Sequence, residues 1–244
     1  MHEGVLRIDK PNQKRKWIMT QTWEHLLFAN WPVPADAIRR LIPEELEVDT
    51  YDGQAWISVI PFLMSGIRLR VCPVIPYTST FTEINVRTYV KSKTQAGVFF
   101  LTLDASNPLV TRIAKAWYRL PYYHAKMSFQ QQREQIEFRS SRMGFVPADF
   151  YGRYRPVDKC FHPREGTIEH WLTERYIHYC KCAATSQVFH GEVFHQPWKL
   201  QEAKAEIDIN TMTQNLNITL SNQPTLVYYS RGVEALIWPS KRLT

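Results

Sequence analysis

Apolar and polar residues alternate with a period of two along most of the chain, which is typical of β-strands that bury one face. The alternation predicts strands over residues 17–33, 46–49, 54–63, 81–90, 97–104, 122–131, 135–142, 150–157, 176–189, 199–210, 216–220 and 226–237. The pair Asp52 and Gly53 predicts a hairpin turn between the second and third of these strands. So many strands predict a mainly β protein, with α+β as the alternative. A single closed antiparallel β-barrel is favoured because closure removes exposed strand edges.

Three segments have the apolar spacing of short helices that flank the barrel. They cover residues 34–41, 107–119 and 167–175. Asn107 and Thr167 are predicted N-caps, and Pro34 and Pro108 each stand where a helix begins.

The domain organisation predicted from the pattern is simple. Residues 1–16 are polar and aperiodic, which predicts a flexible N-terminal arm. Residues 17–244 contain no linker and no internal repeat, and a β-barrel domain of this size is common. We therefore predict one barrel domain after the arm.

Composition narrows the function classes. The formal charge is +7, but the basic residues are scattered and no nucleic-acid-binding motif accompanies them, so no nucleic-acid partner is predicted. Membrane insertion is not expected, because no apolar run approaches the roughly 18 residues needed to cross a bilayer. Four cysteines without a disulfide framework, and no signal segment, predict a cytoplasmic protein with free thiols. The oligomeric state stays open.

The strand over residues 81–90 has the most informative pattern. Glu83, Asn85 and Arg87 share one face, and Ile84 and Val86 share the other. The polar face is either solvated or lines a polar cavity inside the barrel, and the segment alone favours the solvated face.

Metal and cofactor motifs are weak. His178, Cys180 and Cys182 alternate on one strand face and could offer metal ligands, but no fourth ligand is evident and packed thiols are the preferred interpretation. No nucleophile elbow and no phosphate-binding glycine loop occurs. We predict no metal and no cofactor.

Several motifs in a fixed order resemble the YqjF-like family of uncharacterised bacterial proteins. They are Leu26–Val33, Asp52–Trp56, Ile60–Phe62, Glu83–Val90, Leu120–Tyr122 and His195–Trp198. That family in turn resembles the acetoacetate decarboxylase superfamily, whose fold is a β-barrel or cone around an active-site cavity. The resemblance implies that Glu83 faces inward.

The resemblance also implies which reaction is missing. Tyr122 stands at the position of the lysine that forms a Schiff base in the decarboxylases, and Tyr123 stands at the neighbouring cationic position. A tyrosine cannot form an imine, so Schiff-base acetoacetate decarboxylase activity is not expected. Lys126 would project to the same side as Tyr122 in a regular strand, which leaves an imine-forming lyase that uses Lys126 as an alternative.

The functional hypothesis is a small-molecule pocket inside this barrel, for a ligand with an acidic or keto group. Glu83 is the candidate acid or base and Arg87 the candidate anion anchor. The predicted lining also includes Asn85, Tyr122, Tyr123, His124, Trp56, Tyr176 and Trp198. A structural ion pair between Glu83 and Arg87 is the competing interpretation. Whether the protein is an enzyme stays open. The alternatives are a non-catalytic binder or sensor of a small hydrophobic or aromatic acid, and a structural module whose barrel is filled.

Overall fold

The computed structural model describes residues 16–70, 80–118, 120–182 and 185–243, and for residues 115–118 it describes the backbone only. Apart from Lys16, the predicted N-terminal arm lies outside the described residues, as does Cys72, one of the four cysteines.

Strands dominate the described part of the chain. They are β1 (Met19–Val33), β2 (Glu47–Val48), β3 (Ala55–Leu69), β4 (Thr80–Lys91), β5 (Ala96–Ala105), β6 (Tyr122–Gln132), β7 (Gln135–Arg142), β8 (Asp149–Pro156), β9 (Ile177–Lys181), β10 (Val188–His195), β11 (Leu200–Asn210), β12 (Leu226–Ile237) and β13 (Lys241–Arg242). The helices among the described residues are α1 (Ala35–Arg39), α2 (Pro108–Tyr118) and α3 (Ile168–Thr173). None of them is long and apolar enough to cross a membrane.

The strands close on themselves by two routes. In the larger ring β5 is followed by β6, β7, β8, β11, β12, β1, β3 and β4, and β4 pairs back with β5. This ring is a closed nine-stranded mixed barrel. In the smaller ring β9 and β10 link β5 to β12 directly. The strands β12, β1, β3, β4 and β5 are common to both rings and separate two enclosed spaces.

The predicted mainly β closed barrel with flanking helices is confirmed, and its pairing is mixed rather than wholly antiparallel. Among the described strands, β5 pairs in parallel with β6 near Leu103 and Tyr122, and with β9 near Val98 and His178. The connection from β5 to β6 runs through α2, as parallel neighbours require a crossover.

The helix starts agree with the predicted caps. The Oδ1 atom of Asn107 accepts hydrogen bonds from the backbone N–H groups of Leu109, at 3.0 Å, and Val110, at 3.1 Å. The Oγ1 atom of Thr167 accepts from the N–H of His170 at 3.5 Å. Both side chains satisfy N–H groups that a helix leaves free at its start.

Two predicted strands and one predicted hairpin differ in the structure. The predicted strand 176–189 is two strands, because the backbone turns back where the N–H of Cys182 donates to the carbonyl of Gln187 at 2.9 Å. Residues 216–220 are not a strand: a short 3₁₀ helix, Gln214–Leu216, precedes them, and Ile218 and Leu220 enter the core from a loop. The Asp52–Gly53 turn forms, but β2 pairs with β4 and not with β3.

The shared strands are buried on both faces. Ile84 and Val86 of β4 belong to one apolar cluster with Ile136 and Phe138 of β7, so side chains fill the space on that side. Residues of the opposite faces, among them Leu26, Phe28, Ile60 and Phe62, border a cavity within the smaller ring. Near-continuous apolar stretches in β1 and β3 follow from this double burial.

Candidate functional site

The inner face of β4 carries the polar residues that the alternation placed together. Phe81, Glu83, Asn85 and Arg87 line the cavity. Ile84 and Val86 point to the filled core on the other side of the strand. The face is therefore enclosed, although the segment alone favoured a solvated one.

The cavity has a volume of about 530 Å³. Its wall is mostly apolar and aromatic, and includes Trp23, Leu26, Phe28, Ile60, Phe62, Met64, Val98, Phe100, Leu103, Val110, Ala114, Val193 and Trp198. A volume of this size suits a small organic molecule, since ligand cavities typically measure about 300–1,000 Å³.

Glu83 is buried and accepts a hydrogen bond from the hydroxyl of Tyr122, with 3.0 Å between the Tyr122 oxygen and Oε2. Burial raises the pKa of Glu83 to about 8, the bond from Tyr122 partly opposes the rise, and the charge of Asp104 adds to it. Most Glu83 side chains are consequently protonated at neutral pH, and the group can donate a hydrogen bond as well as accept one.

Tyr122 reaches Glu83 because of the parallel pairing of β6 with β5. Tyr122 lies beside Leu103, and Glu83 lies opposite Ala105 on the other edge of β5. The phenol thus stands across β5 from the carboxyl group. A local sequence window cannot reveal this contact, since it joins residues 39 positions apart.

A second carboxylate lies behind this site and is paired with an arginine. The Nε of Arg142 contacts both carboxylate oxygens of Asp104, at 3.0 and 2.9 Å, and both side chains are buried. The guanidinium lies over the ring of Tyr123, 4.1 Å from its centroid. Burial raises the pKa of Asp104, whereas the hydrogen bond and charge of Arg142 lower it.

Arg87 does not pair with Glu83, so the structural ion pair considered from the sequence is not formed. Its Nη2 donates to the carbonyl of Leu172 at 2.9 Å. The guanidinium lies 5.8 Å from the ring centre of Phe28 and 5.7 Å from that of Tyr89. Its Nε is buried and has no hydrogen-bond partner among the described residues.

Two further polar groups in the wall are unsatisfied. The Oδ1 of Asn85 and the Nε2 of His178 are buried without a hydrogen-bond partner in the described part of the chain. Burial, with a smaller contribution from His190, lowers the pKa of His178 to about 4, so its ring is neutral at pH 7. Buried polar groups normally have hydrogen-bond partners, so these two atoms are exceptions in the wall.

Aromatic side chains form a continuous part of the wall. The ring of His195 lies 4.8 Å from that of Tyr176 and 4.7 Å from that of Trp198, measured between centroids. Trp198 contacts Phe28 edge to face, with centroids 5.1 Å apart. The indole N–H of Trp198 donates to the carbonyl of Thr173 at 2.9 Å, which fixes the ring.

The structure brings together most of the predicted site residues. Six of them line the cavity: Glu83, Asn85, Arg87, Tyr122, Tyr176 and Trp198. The alternation in β4 accounts for the first three, and the tertiary pairing of β6 accounts for Tyr122.

Four predicted residues lie elsewhere. Trp56 is buried near the start of β3. It does not border the cavity, because Ile60 is the first residue of that strand that does. Tyr123 packs under Arg142 on the opposite face of β6. His124 and Lys126 are exposed, because β6 leaves β5 after the Ala105–His124 pair and continues with β7.

Sequence reasoning missed several polar residues of the wall, namely Gln21, Thr173, Arg175, His178 and His195. His178 follows the predicted lining residue Tyr176 by two positions, so alternation could have identified it. It was considered as a metal ligand with Cys180 and Cys182, but those thiols pack with Phe189 in a separate buried cluster. Within the described residues no group of three or more His, Cys, Asp or Glu side chains is placed to hold a metal. Arg175 has no local signal, since it was assigned to the end of a helix.

Solved structures with similar folds are acetoacetate decarboxylase-like. An acetoacetate decarboxylase matches with a TM-score of 0.66 and 10% identity over 94% of this chain and 90% of that one. The acetoacetate decarboxylase of Legionella pneumophila matches with a TM-score of 0.64 and 11% identity, over 92% and 87%. The enduracididine biosynthesis enzyme MppR in complex with pyruvate matches with a TM-score of 0.64 and 9% identity, over 94% and 92%. At these identities the likeness shows the fold alone.

Sequence relatives establish the family. The chain is 40% identical to the uncharacterized protein YqjF of Bacillus subtilis (strain 168) over 226 residues, which is 93% of each protein. The family model DUF2071, described as an uncharacterized conserved protein, matches residues 20–234. The chain therefore belongs to the DUF2071 family, as its resemblance to YqjF-like proteins predicted.

Proposed function

We propose that the protein binds a small, mainly apolar organic molecule with an acidic or keto group inside the cavity. One observation carries this proposal: a protonated carboxyl group, Glu83, is held by Tyr122 in the wall of a mainly apolar cavity of about 530 Å³. A few convergent polar groups in an apolar cavity are typical of small-molecule sites.

The chemistry of Glu83 suits a carbonyl or carboxyl oxygen. As a neutral acid it donates a hydrogen bond to such an oxygen without the repulsion that a carboxylate would cause. The bond from Tyr122 fixes the carboxyl group. Glu83 and Tyr122 would orient the polar end of the ligand.

Schiff-base decarboxylation is not part of the proposal. No lysine occurs among the described residues that line the cavity, and a phenol at position 122 cannot form an imine. The alternative nucleophile, Lys126, is exposed on β6 away from this space.

The free thiols of Cys160, Cys180 and Cys182 support a reducing, cytoplasmic setting.

Proton-transfer catalysis on the bound molecule is the second candidate. The observation that favours it is the pKa of Glu83, about 8, since a general acid or base is most effective when its pKa lies near the working pH. The structural neighbours guide only the choice of probes, because MppR has been solved with pyruvate and others are acetoacetate decarboxylases.

Thermal shift tests binding. The full chain would be heated with pyruvate, acetoacetate, phenylpyruvate and phenylacetate, each at several concentrations. We expect the aromatic acids to raise Tm in a saturable manner, because they fill more of the apolar wall. A wild-type protein whose Tm responds to none of the four probes would contradict the proposal.

Two further measurements separate binding from catalysis. Borohydride added with pyruvate should leave the intact mass unchanged, whereas an adduct on any lysine would revive imine chemistry. Proton NMR of a bound keto acid in D₂O would report exchange or cleavage. Turnover of the keto acid by the wild type that Glu83→Gln abolishes would support an enzyme. Probes that stay chemically intact, and that bind Glu83→Gln with a different affinity, would support a binder or sensor.

A further inference from the structure

We propose that Arg87 and Arg175 together form a carboxylate-binding site in the cavity wall, so that the ligand is a monocarboxylic acid with an apolar body. This inference rests on the proposed function and deepens it. Arg175 follows α3 and was not predicted as a site residue, yet it lines the same cavity as Arg87.

The two guanidinium groups belong to one cluster around Tyr89. The Cζ of Arg87 lies 5.7 Å from the ring centre of Tyr89, and the Cζ of Arg175 lies 5.3 Å from it. The carbonyl of Leu172 accepts hydrogen bonds both from Arg87 and from the hydroxyl of Tyr89, each at 2.9 Å. Both cations therefore contact the ring of Tyr89, and the Leu172 carbonyl joins Arg87 to the hydroxyl of the same tyrosine.

Each arginine keeps one buried donor without a partner. The Nε of Arg175 donates to the carbonyl of Trp171 at 2.6 Å and its Nη1 to the Oδ2 of Asp49 at 2.8 Å, which leaves Nη2. This Nη2 and the Nε of Arg87 are buried and have no hydrogen-bond partner among the described residues. Trp171 also stacks on the Arg175 guanidinium, 4.6 Å from its ring centre, so the group is fixed before a ligand arrives.

Charge favours an anion. Asp49 balances Arg175, and Arg87 contacts no carboxylate in the described part of the chain. Glu83 does not supply the missing charge, because burial raises its pKa to about 8. Burial lowers the pKa of Arg175, Asp49 opposes that change, and the positive charge of Arg87 adds to it. Arg87, Arg175 and Asp49 thus sum to one positive charge, while the buried carboxyl group of the neighbouring Glu174 accepts hydrogen bonds from the Tyr176 hydroxyl and the Trp198 backbone N–H.

A single carboxylate matches this arrangement better than a phosphate does. One negative charge would pair with Arg87, which contacts no carboxylate in the described part of the chain, whereas a phosphate dianion would bring a second, unpaired negative charge into an apolar space. Guanidinium donors also fit the two oxygens of a carboxylate. The remaining wall, with Phe28, Phe62, Met64 and Trp198, offers apolar surface to the body of the acid.

Calorimetric titration of the full chain with three probes of one body tests the inference. The probes are 4-phenylbutyrate, 4-phenylbutyramide and 4-phenylbutanol. We expect wild type to bind the acid at least about tenfold more tightly than the amide, the scale of a charge-assisted hydrogen bond. Arg87→Met and Arg175→Met should each abolish this preference while the affinity for the alcohol changes less than about threefold. The matched control is Arg139→Met, on an exposed arginine, which should leave all three affinities unchanged.

Asp49→Asn keeps the test decisive if Arg175→Met does not fold. This variant retains both guanidiniums and removes their counter-charge, so acid binding should strengthen while alcohol binding stays constant. Weaker or unchanged acid binding in Asp49→Asn would overturn the inference. Equal wild-type affinities for acid, amide and alcohol would overturn it as well, yet leave the proposed function intact. Absence of binding of all three probes would count against the proposed function and the inference together.

Discussion

A single buried carboxyl group makes the stability of this protein depend on pH. The pKa of Glu83 is about 8 in the folded chain, against 4.5 for a glutamate in water. Between these values the folded state holds one proton more than the unfolded state. The stabilisation from the neutral group is therefore complete below pH 4.5 and is lost as pH rises through about 8. Within the window the free energy of unfolding should fall by about 1.4 kcal/mol per pH unit through this group.

Glu83→Gln isolates the effect, because the amide is nearly isosteric and does not titrate. Urea denaturation from pH 5 to pH 8 gives the free energy of unfolding of both proteins. Plotted against pH, the two values should converge as the pH rises, because the wild type loses stability relative to the variant. Parallel curves over this range would show that Glu83 is ionised or exposed in the folded protein.

The hydroxyl of Tyr122 should act on the same titration. Its hydrogen bond lowers the pKa of Glu83 and so partly offsets burial. Tyr122→Phe removes the donor, and we expect the pKa of Glu83 to rise further. The carbon NMR shift of a labelled Glu83 carboxyl, followed against pH, measures it. Tyr123→Phe is the control, since Tyr123 lies under Arg142 and should leave the titration unchanged. An unshifted midpoint in Tyr122→Phe would disprove the contact.

At the scale of elements, the pairing of β9 with β10 depends on a glycine. A Cβ atom added to Gly191 would stand 2.3 Å from Cε1 and 2.5 Å from Nε2 of His178, across the strand pair. Gly191→Ala must therefore displace the His178 ring, and we expect a loss of about 1–3 kcal/mol of stability, the scale of overpacking. Urea denaturation would measure this loss.

His178→Ala supplies the partner variant. In that background the same Gly191→Ala change should cost less than about 1 kcal/mol, because the methyl group then has space. Equal costs in both backgrounds would mean that the clash is with the backbone and not with the imidazole.

The elements show what alternation can and cannot predict. In β4 the pattern correctly separates Glu83 and Arg87 from Ile84, because a regular strand keeps its period. It continues falsely through the β9–β10 turn, where Ser186 adopts a φ of 56° without a glycine or proline to mark it. It also mistakes Ile218 for a strand residue, although Ile218 enters the core from a loop.

At the scale of the molecule, the site depends on how two rings of strands share five strands. The β4 pattern placed Glu83, Asn85 and Arg87 on one face, and the family resemblance alone predicted that Glu83 faces inward. The contact with Tyr122, the exposure of Lys126 and the approach of Arg175 to Arg87 depend on where β6 leaves β5 and where α3 ends. These are tertiary facts joining distant positions, so no local period encodes them.

The Asp104–Arg142 ion pair joins the larger ring to the strands that both rings share. Asp104 lies on β5, which is common to both rings, and Arg142 ends β7, which belongs to the larger ring alone. Arg142→Met leaves Asp104 buried and unpaired, and should lower the free energy of unfolding by about 3–5 kcal/mol. The double variant Asp104→Asn with Arg142→Met removes both charges and should recover most of that loss. Removal of Asp104 also removes one cause of the raised pKa of Glu83, so that pKa should fall in the double variant. Urea denaturation and the Glu83 NMR titration measure the two effects, and a double variant as unstable as Arg142→Met would show that packing of the arginine, rather than charge pairing, holds the rings together.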